Sequence, residues 1–312
     1  MVAPDVLLLT ETNVPHAENI RYFGEGDEAH LVYQFSLPPL LLHALQSGNT
    51  THLTAWAASL PDPPPGCAFL NFTASHDGIG IRPLEGLVPE PERDALIAGI
   101  QLRGGYVSTK TNSDGSESPY EMNTTYFDAL KDLNSDDLDL QIARFLCSQT
   151  VTLALKGIPA IYFHSLTATP NDQAGVEKSG LLRAINRKKW NRDELEAQLL
   201  TPDSPTAKVF YPYVERLKIR AVHAAFHPDG KQVVIEAGQS IFAIQRVAPD
   251  GRESLWSIHN FTHRPLTVPK TRLSLRKKLA YRDLISGTLF KAGENVLDLE
   301  PYQSLWLVIH AG

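Results

Sequence analysis

His76 and Asp77 stand side by side shortly after the apolar segment 67–72, which we predict to be a buried strand. An imidazole can hydrogen-bond a hydroxyl, and a carboxylate can transfer a proton or stabilise positive charge. Barrels of alternating strands and helices keep their catalytic groups at the carboxyl ends of such strands. We expect Gly78 and Gly80 to let the backbone turn sharply just beyond the pair. Taken alone, the segment favours the alternative of an ordinary strand exit in which Asp77 caps the next element.

A second carboxylate, Glu11, directly follows another apolar segment, 5–10, and two further apolar segments lie at 30–35 and 157–164. All four segments are apolar throughout, as in parallel strands covered on both faces. Helical patterns lie between and after them, at 40–46, 51–60, 91–102, 137–155, 193–200 and 207–221. This alternation predicts an α/β fold with half of a barrel, because a closed barrel needs eight strands.

Two other regions interrupt or follow the alternation. A long excursion at 81–122 includes a loop at 104–118 rich in Gly, Ser and Asn, which we expect to be functional or mobile. From about residue 231, short strands alternate with turns, which predicts a small antiparallel β domain of the sandwich kind. Its strands are predicted at 232–237, 240–247, 253–260, 265–268, 279–283 and 304–310.

The sequence SHDGIG at 75–80 resembles the motif that follows the seventh barrel strand in glycoside hydrolase family 13, the α-amylase clan. The resemblance is to its sucrose-phosphorylase-like branch, and four more segments agree in the same order along the chain. These are LTETNVPH at 9–16, VYQFSLPPL at 32–40, SPYEMN at 118–123 and RAINR at 183–187. The segments TETNVPH and SPYEMN are similar to those of glucosylglycerate phosphorylases.

The resemblance implies that the four strands are strands five to eight of a (β/α)8 barrel. It divides the chain into a partial catalytic barrel at 1–225, whose N-terminal half is missing, and an all-β domain at 231–312. The first and last barrel strands would then each have an unpaired edge, which favours aggregation unless it is covered. We therefore interpret the chain as the C-terminal part of a larger enzyme, with Met1 an internal position used as a start.

The family carries out retaining α-glucosyl transfer, which needs a carboxylate nucleophile and a carboxyl acid/base about 5 Å apart. The resemblance matches Glu11 to the acid/base and Asp77 to a third carboxylate that stabilises positive charge. It matches His76 to a histidine that hydrogen-bonds the bound glucose. The nucleophile, an Asp after strand four, has no counterpart, since one barrel unit takes about 30 residues and strand four would precede the chain. A solvated strand-end carboxylate is the alternative for Glu11.

Residues 118–123 resemble the mobile acceptor loop of sucrose phosphorylases. Tyr120 matches a tyrosine that reaches phosphate in one state of that loop. Glu121 stands where those enzymes have a glutamine that contacts fructose, and this departure argues against sucrose as the substrate. Arg183 matches an arginine near the far hydroxyls of glucose, and its planar fork can hold two hydroxyls or a carboxylate. An exposed polar loop is the alternative for 118–123, and we expect Arg187 to form a solvated face or salt bridges.

Composition excludes several other classes. The chain has 312 residues, of which 43% are hydrophobic and 21% charged, with a formal net charge of -6. This balance gives no basic surface for nucleic acid or an anionic membrane. Cys67 and Cys147 lie in apolar segments and are predicted to be buried thiols in a reducing compartment. There is no signal peptide pattern, no apolar run of membrane-spanning length, no metal-ligand spacing and no phosphate-binding glycine loop. These features predict a cytoplasmic protein without a cofactor.

The function predicted from the resemblance is that of a fragment of an α-glucosyl phosphorylase. The intact enzyme would transfer glucose between a small glucoside, of the glucosylglycerate or sucrose type, and inorganic phosphate as co-substrate. The isolated chain is predicted to be inactive because the nucleophile is absent. One alternative is a fragment of a hydrolase or transglucosidase of the same clan. The other is a non-enzymatic remnant, or a subunit that needs an N-terminal half as its partner.

Overall fold

A computed structural model describes residues 6–310 of the chain. Four short parallel strands form one sheet in the order β1-β2-β3-β7. Their bounds are Leu9–Thr10 for β1, Leu31–Tyr33 for β2, Ala68–Asn71 for β3 and Ile158–Pro159 for β7. All four lie within the predicted segments, although Asp5 of the first prediction lies outside the described residues. The predicted strand at 157–164 ends early because Pro159 has no N–H to extend the ladder and a helix begins at Phe163.

Helices connect and surround these strands. They are α1 His16–Asn19, α2 Leu37–Ser47, α3 Thr51–Ser59, α4 Glu90–Leu102, α5 Tyr126–Ala129, α6 Leu138–Ala154, α7 Phe163–Leu166, α8 Gln173–Ser179, α9 Arg192–Leu200 and α10 Pro205–Val222. Helix α2 has prolines in its first turn and ends at Gly48, which adopts the left-handed conformation. Helix α6 begins at Asp137, whose side chain accepts a hydrogen bond from the Leu140 N–H.

A three-stranded antiparallel sheet joins a strand just before the excursion predicted at 81–122 to two strands in its second half. Its strands are β4 Ile79–Gly80, β5 Tyr106–Thr111 and β6 Glu117–Asn123, in the order β4-β6-β5. The expected loop at 104–118 is therefore largely a β-hairpin, and the expectation of a loop is wrong. Strand β5 is rich in β-branched and aromatic residues, which favour a pleated strand over a loop.

The C-terminal region is antiparallel, as predicted. Six strands form one sheet in the order β13-β12-β15-β10-β9-β8, and β11 pairs with β14 in a second sheet. Their bounds are β8 Lys231–Ile235, β9 Ile241–Val247, β10 Ser254–Asn260, β11 Leu266–Pro269, β12 Tyr281–Asp283, β13 Leu289–Phe290, β14 Val296–Leu299 and β15 Ser304–Ile309. The structure therefore adds two short strands, β13 and β14, to the six that the sequence predicts.

Along the strands of the six-stranded sheet, alternate side chains pack into two different apolar cores, one on each face of the sheet. Phe242 and Trp306 belong to the largest core, together with helix residues such as Phe145. Their neighbours Ala243 and Leu307 belong to a second core, which the β11–β14 sheet covers. The largest core is thus shared between the helices around the parallel sheet and one face of the C-terminal sheet.

The state of the two cysteines and the apolar length of the helices can also be compared with the sequence predictions. Cys67 and Cys147 are free and buried, as predicted. Within residues 6–310, no helix is both long enough and apolar enough to cross a membrane.

Candidate functional site

The loop that carries His76 and Asp77 follows β3 and is fastened at several points. At its start, the Asn71 side chain donates to the Lys156 carbonyl at 3.0 Å. Further along, the Asn186 side-chain amide donates to the carbonyl oxygens of Ser75, at 3.0 Å, and Asp77, at 2.8 Å. Asn186 is only 3% exposed, so these hydrogen bonds are shielded from water. The loop is thereby held in one shape from both ends.

Gly78 and Gly80 make room for side chains that pack against this loop. The backbone bends at His76 and Asp77, just before Gly78, and neither glycine has a positive φ. A Cβ on Gly78 would lie 3.0 Å from the Glu121 side chain, and a Cβ on Gly80 would lie 2.4 Å from Oδ1 of Asn13. Close approach is therefore a requirement for glycine at both positions.

Two arginines hold the Asp77 carboxylate. Asp77 Oδ1 accepts from Arg183 Nη1 at 2.7 Å and from Arg187 Nη2 at 3.1 Å. Arg187 also donates through Nε to the His76 carbonyl at 2.6 Å. Arg187 therefore contributes directly to the candidate site through a salt bridge, one of the two roles expected for it, and does so although it is half-exposed.

A second carboxylate, that of Glu121, joins this group through the fork of Arg183. Arg183 Nε donates to Glu121 Oε2 at 3.0 Å, and Nη2 donates to Oε1 at 2.7 Å. Burial by itself lowers the pKa of Arg183, but the hydrogen bond and charge of Glu121, followed by the charges of Asp77 and Tyr120, raise it above its usual range. Arg183 stays charged and bridges two carboxylates. We call Asp77, Glu121, Arg183 and Arg187 the carboxylate–arginine cluster.

Two predicted site residues stand beside this cluster, and in the described part of the chain their side chains form no hydrogen bond with its members. His76 Nε2 lies 3.8 Å from Asp77 Oδ2, too far for a hydrogen bond, and its side chain is 64% exposed. Tyr120 precedes Glu121 on β6 and is half-buried.

Glu11 is exposed and lies one residue beyond β1. Within residues 6–310, no hydrogen bond or ion pair joins Glu11 to the carboxylate–arginine cluster. Its charge acts on Tyr33, at the end of β2, since burial and then the Glu11 carboxylate raise the pKa of that tyrosine. Because β2 separates β1 from β3, and neighbouring strands are about 4.8 Å apart, Glu11 and the start of the Asp77 loop are separated by roughly 10 Å.

The sequence reasoning missed Asn186 and the anchoring role of Arg187. Both lie in RAINR, one of the segments that carry the family resemblance, and this was the available signal. Their partners are 109–111 residues away in sequence, so no local pattern could identify the contacts. In the described part of the chain, no group of three or more His, Cys, Asp or Glu side chains is arranged to hold a metal ion.

Comparison with known proteins gives consistent matches along the chain. Residues 232–308 match the family model of the amylosucrase C-terminal domain. The chain is 42% identical over 309 residues to the glucosylglycerate phosphorylase of Allomeiothermus silvanus, covering 98% of this chain and 52% of that protein. It is 41% identical over 307 residues to the glucosylglycerate phosphorylase of Escherichia coli, covering 98% and 53%. The chain spans about half the length of the curated relatives it matches.

Solved structures share the fold at lower sequence identity. The crystal structure of sucrose 6F-phosphate phosphorylase from Thermoanaerobacter thermosaccharolyticum superposes with a TM-score of 0.66 at 22% identity, over 82% of this chain and 48% of that one. An α-amylase from H. orenii superposes with a TM-score of 0.61 at 12% identity, over 98% and 54%. The identities of 42% and 41% to glucosylglycerate phosphorylases, together with the matching segments, show that the chain belongs to glycoside hydrolase family 13, in the branch that contains the sucrose and glucosylglycerate phosphorylases.

Proposed function

We propose that this chain is the part of a retaining α-glucosyl phosphorylase that supplies the acid/base and one face of the glucose site. The intact enzyme transfers glucose between a small glucoside, of the glucosylglycerate type, and inorganic phosphate. The observation that carries this proposal is the carboxylate–arginine cluster at the carboxyl end of β3, which presents a carboxylate held by two arginines. The names of the relatives that match 98% of the chain support phosphate as the co-substrate.

The roles follow from what each group can do. Glu11 donates a proton to the leaving oxygen while a carboxylate nucleophile attacks the anomeric carbon, and it later takes the proton of the attacking phosphate. Asp77 stabilises the positive charge that develops on the sugar. His76 and Arg183 bind glucose hydroxyls, and Tyr120 lies on the acceptor side. The nucleophile comes from a segment outside this chain.

We further propose that β1, β2, β3 and β7 are barrel strands five to eight. Residues 1–225 then form a partial barrel and residues 231–312 an all-β domain. The exposed apolar side chains before and within β1 support this assignment, because parallel strands are ordinarily covered on both faces. They are Val6 at 50%, Leu7 at 70%, Leu8 at 50% and Leu9 at 44% exposure. A further strand pairing with β1 would cover them.

The test measures glucose 1-phosphate released from glucosylglycerate in the presence of phosphate. The chain alone is compared with the same chain fused behind the part of the A. silvanus relative that it does not match. We expect no release from the chain alone and phosphate-dependent release from the fusion. Release by the chain alone would overturn the proposal that it lacks the nucleophile. A fusion that produces free glucose at the same rate with or without phosphate would instead support a hydrolase.

A further inference from the structure

We propose that a pocket between the end of α2, helix α6 and loops of the C-terminal sheet binds a dianionic phosphoryl group, carried by a small sugar or present as inorganic phosphate. We call it the α2–α6 pocket. It is lined by residues 45–48 and 261–264, with Arg144, Ser240, Leu266 and Tyr302. It contains no residue of the carboxylate–arginine cluster, so the inference does not rest on the proposed function.

The lining of the α2–α6 pocket carries positive charge and no negative charge. Two of the lining residues, Arg144 and Arg264, are arginines, and none is Asp or Glu. Arg264 is exposed at the rim. Within residues 6–310, the one hydrogen bond of its side chain runs from Nε to His263 Nε2 at 3.3 Å, so both terminal nitrogens of Arg264 remain available to a ligand.

Arg144 supplies a buried charge that the protein compensates only in part. The residue is 7% exposed, and its Nη1 donates to the Leu130 carbonyl at 3.1 Å while Nη2 donates to the Tyr302 hydroxyl. Among the described residues, Nε has no hydrogen-bond partner. Asp132 Oδ2 lies 3.7 Å from Nη2, too far for a hydrogen bond. A buried guanidinium in this setting favours a further anion nearby.

A second guanidinium, that of Arg103, shares the same carboxylate. Burial lowers the pKa of Arg103 and the charge of Arg144 lowers it further, whereas the charge of Asp132 raises it. Two guanidiniums beside one carboxylate leave a formal excess of one positive charge, and Arg264 at the rim brings the excess to two. A phosphoryl dianion matches this excess, whereas a single carboxylate would leave half of it uncompensated.

The turn that presents Arg264 is held in place before any ligand binds. Asn260, which is fully buried, donates through Nδ2 to the carbonyls of Arg264 at 2.7 Å and Glu300 at 2.9 Å. Its Oδ1 accepts from the Thr262 N–H at 2.9 Å. A turn that is already ordered loses little conformational freedom on binding, which favours affinity for a small ligand.

Tyr302 forms an aromatic wall of the pocket in an unfavourable backbone conformation. Its φ is 54°, in the left-handed region that bulky residues seldom adopt, and such strain is concentrated at binding and catalytic sites. Its N–H donates to the Thr262 carbonyl at 3.1 Å, and its ring centroid lies 4.8 Å from Cζ of Arg144. The pocket volume is about 370 Å³, within the range of small-molecule sites, so a sugar ring can lie beside the phosphoryl group.

Binding is tested by isothermal titration calorimetry on the whole chain, with glucose 6-phosphate, inorganic phosphate and glucose as probes. We expect the phosphorylated sugar to bind at least about tenfold more tightly than glucose, because only the phosphoryl group forms charge-assisted hydrogen bonds. Tighter binding of glucose 6-phosphate than of inorganic phosphate would identify the sugar phosphate as the ligand, and the reverse order would identify the ion. Equal affinity for glucose 6-phosphate and glucose, or no binding of either phosphoryl compound, would overturn the inference.

Substitutions locate the binding. Arg264→Gln removes the rim charge and should weaken the binding of the tighter phosphoryl probe by roughly tenfold, the value of one charge-assisted hydrogen bond. Arg252→Gln is the matched control, because it removes the same charge from an 88% exposed side chain between β9 and β10 and should leave the affinity unchanged. Arg183→Gln, in the carboxylate–arginine cluster, should also leave it unchanged. Loss in Arg183→Gln with full binding in Arg264→Gln would place the ligand in that cluster and contradict the proposal.

A second variant tests the space of the pocket without changing its charge. Ser240→Tyr adds a ring at a half-buried lining position, so it should also weaken the binding of the tighter probe, and circular dichroism checks that the variant is folded. Unchanged affinity in Ser240→Tyr would show that the ligand does not enter the α2–α6 pocket. None of these measurements uses glucosyl transfer, so an inactive fusion would count against the proposed function alone.

Discussion

At the residue scale, the placement of Asp77 depends on neighbours that are distant in sequence. Asn186 donates to two backbone carbonyls of the loop, and Arg187 donates to a third. These contacts constrain backbone groups, which leaves the Asp77 carboxylate facing the two arginines. The loop geometry is thus set by the 183–187 segment as much as by the strand that precedes it.

We expect Asn186→Ala to lower the free energy of unfolding by about 1–3 kcal/mol, because two partly buried carbonyl acceptors lose their donor. Urea denaturation monitored by circular dichroism measures the change. Asn112→Ala, in the exposed turn of the β5–β6 hairpin, is the control and should change stability by less than about 0.5 kcal/mol. Equal effects of the two substitutions would show that Asn186 does not fasten the loop.

Glu11→Gln in the fused enzyme should remove the proposed proton donor. General acid–base catalysis contributes roughly 10²–10⁴-fold, so kcat should fall by that factor with glucosylglycerate. The loss should be much smaller with a glucoside whose leaving group is acidic, since such a group departs without protonation. Comparison of glucosylglycerate with glucosyl fluoride measures this difference. Equal losses with the two substrates would count against Glu11 as the acid/base.

The site residues that the sequence identifies are marked by local patterns, whereas the side-chain contacts that it misses join segments that are distant in sequence. Asp77 and Glu11 follow apolar segments, and that local pattern is enough to place them at strand ends. The pairing of Glu121 with Arg183 joins residues 62 positions apart, and its partner geometry depends on the central position of β6. Side-chain pairing of this kind is decided by tertiary packing, which no local pattern reports.

At the element scale, the sequence predicted the parallel strands well and the hairpin poorly. Buried parallel strands give continuous apolar segments, which are conspicuous. Strand β6 is mostly polar and contains Pro119, and glycines stand just before β5. These features favour a loop in spite of the β-branched and aromatic residues of β5, and the pairing of β6 with both β5 and β4 shows that the segment is a sheet.

Glycine at position 157 is required for the start of β7. Gly157 has a φ of 128°, and a Cβ there would lie 2.5 Å from the Phe69 carbonyl oxygen. Gly180 also has a positive φ, 69°, but a Cβ there would meet no atom within 4 Å. We expect Gly180→Ala to cost about 1–2 kcal/mol for backbone strain alone.

Gly157→Ala should cost a further 1–3 kcal/mol or so for overpacking against the backbone of β3. Urea denaturation of the two variants under the same conditions separates the two effects. A loss of stability for Gly157→Ala no greater than that for Gly180→Ala would show that β3 can move away from β7 without cost.

At the scale of the whole molecule, acid should destabilise the fold through buried histidines. His259 is fully buried between Ser257 and Ser304, with ring nitrogen to hydroxyl oxygen distances of 2.6 and 2.8 Å. Burial, aided by the Arg216 charge, lowers the pKa of His259 from 6.5 to about 3. Burial also lowers the pKa values of three other histidines, His16, His43 and His164.

The sign of the pH effect follows from proton binding. In the unfolded chain His259 takes up a proton below about pH 6.5, whereas in the folded chain its ring stays neutral down to about pH 3. The free energy of unfolding therefore falls as the pH falls between these two values. At pH 5 the contribution of His259 alone is a loss of about 2 kcal/mol relative to pH 7.5. Urea midpoints at the two pH values measure it. His259→Gln should reduce the difference between the midpoints, and an unchanged difference would exclude His259 as a source.

The shared core bears on whether the C-terminal sheet can fold alone. The sequence predicts residues 231–312 as a separate all-β domain. The structure places Phe242 and Trp306, on one face of this sheet, in the same core as helix α6. Removal of the helices would expose that face to water. We therefore expect limited proteolysis to leave α6 attached to the sheet instead of releasing a fragment that begins near residue 231.

The exposed edge at β1 should make the isolated chain associate. Residues 6–9 expose four consecutive apolar side chains, and among the described residues, 6–310, β1 pairs with one strand only, β2. An open apolar edge pairs readily with another chain, because pairing satisfies the backbone and buries the side chains together.

Leu7→Lys places a charge at this edge and should shift the chain from oligomers towards monomer in size-exclusion chromatography with light scattering. Leu200→Lys is the control, since Leu200 is 80% exposed but lies at the end of helix α9, away from the sheet edge. The fusion that supplies the remaining strands should be monomeric or form small, defined oligomers without either substitution. If the unaltered chain elutes as a sharp monomer at high concentration, the edge needs no partner strand, and the assignment of β1 as an internal barrel strand loses its main structural support.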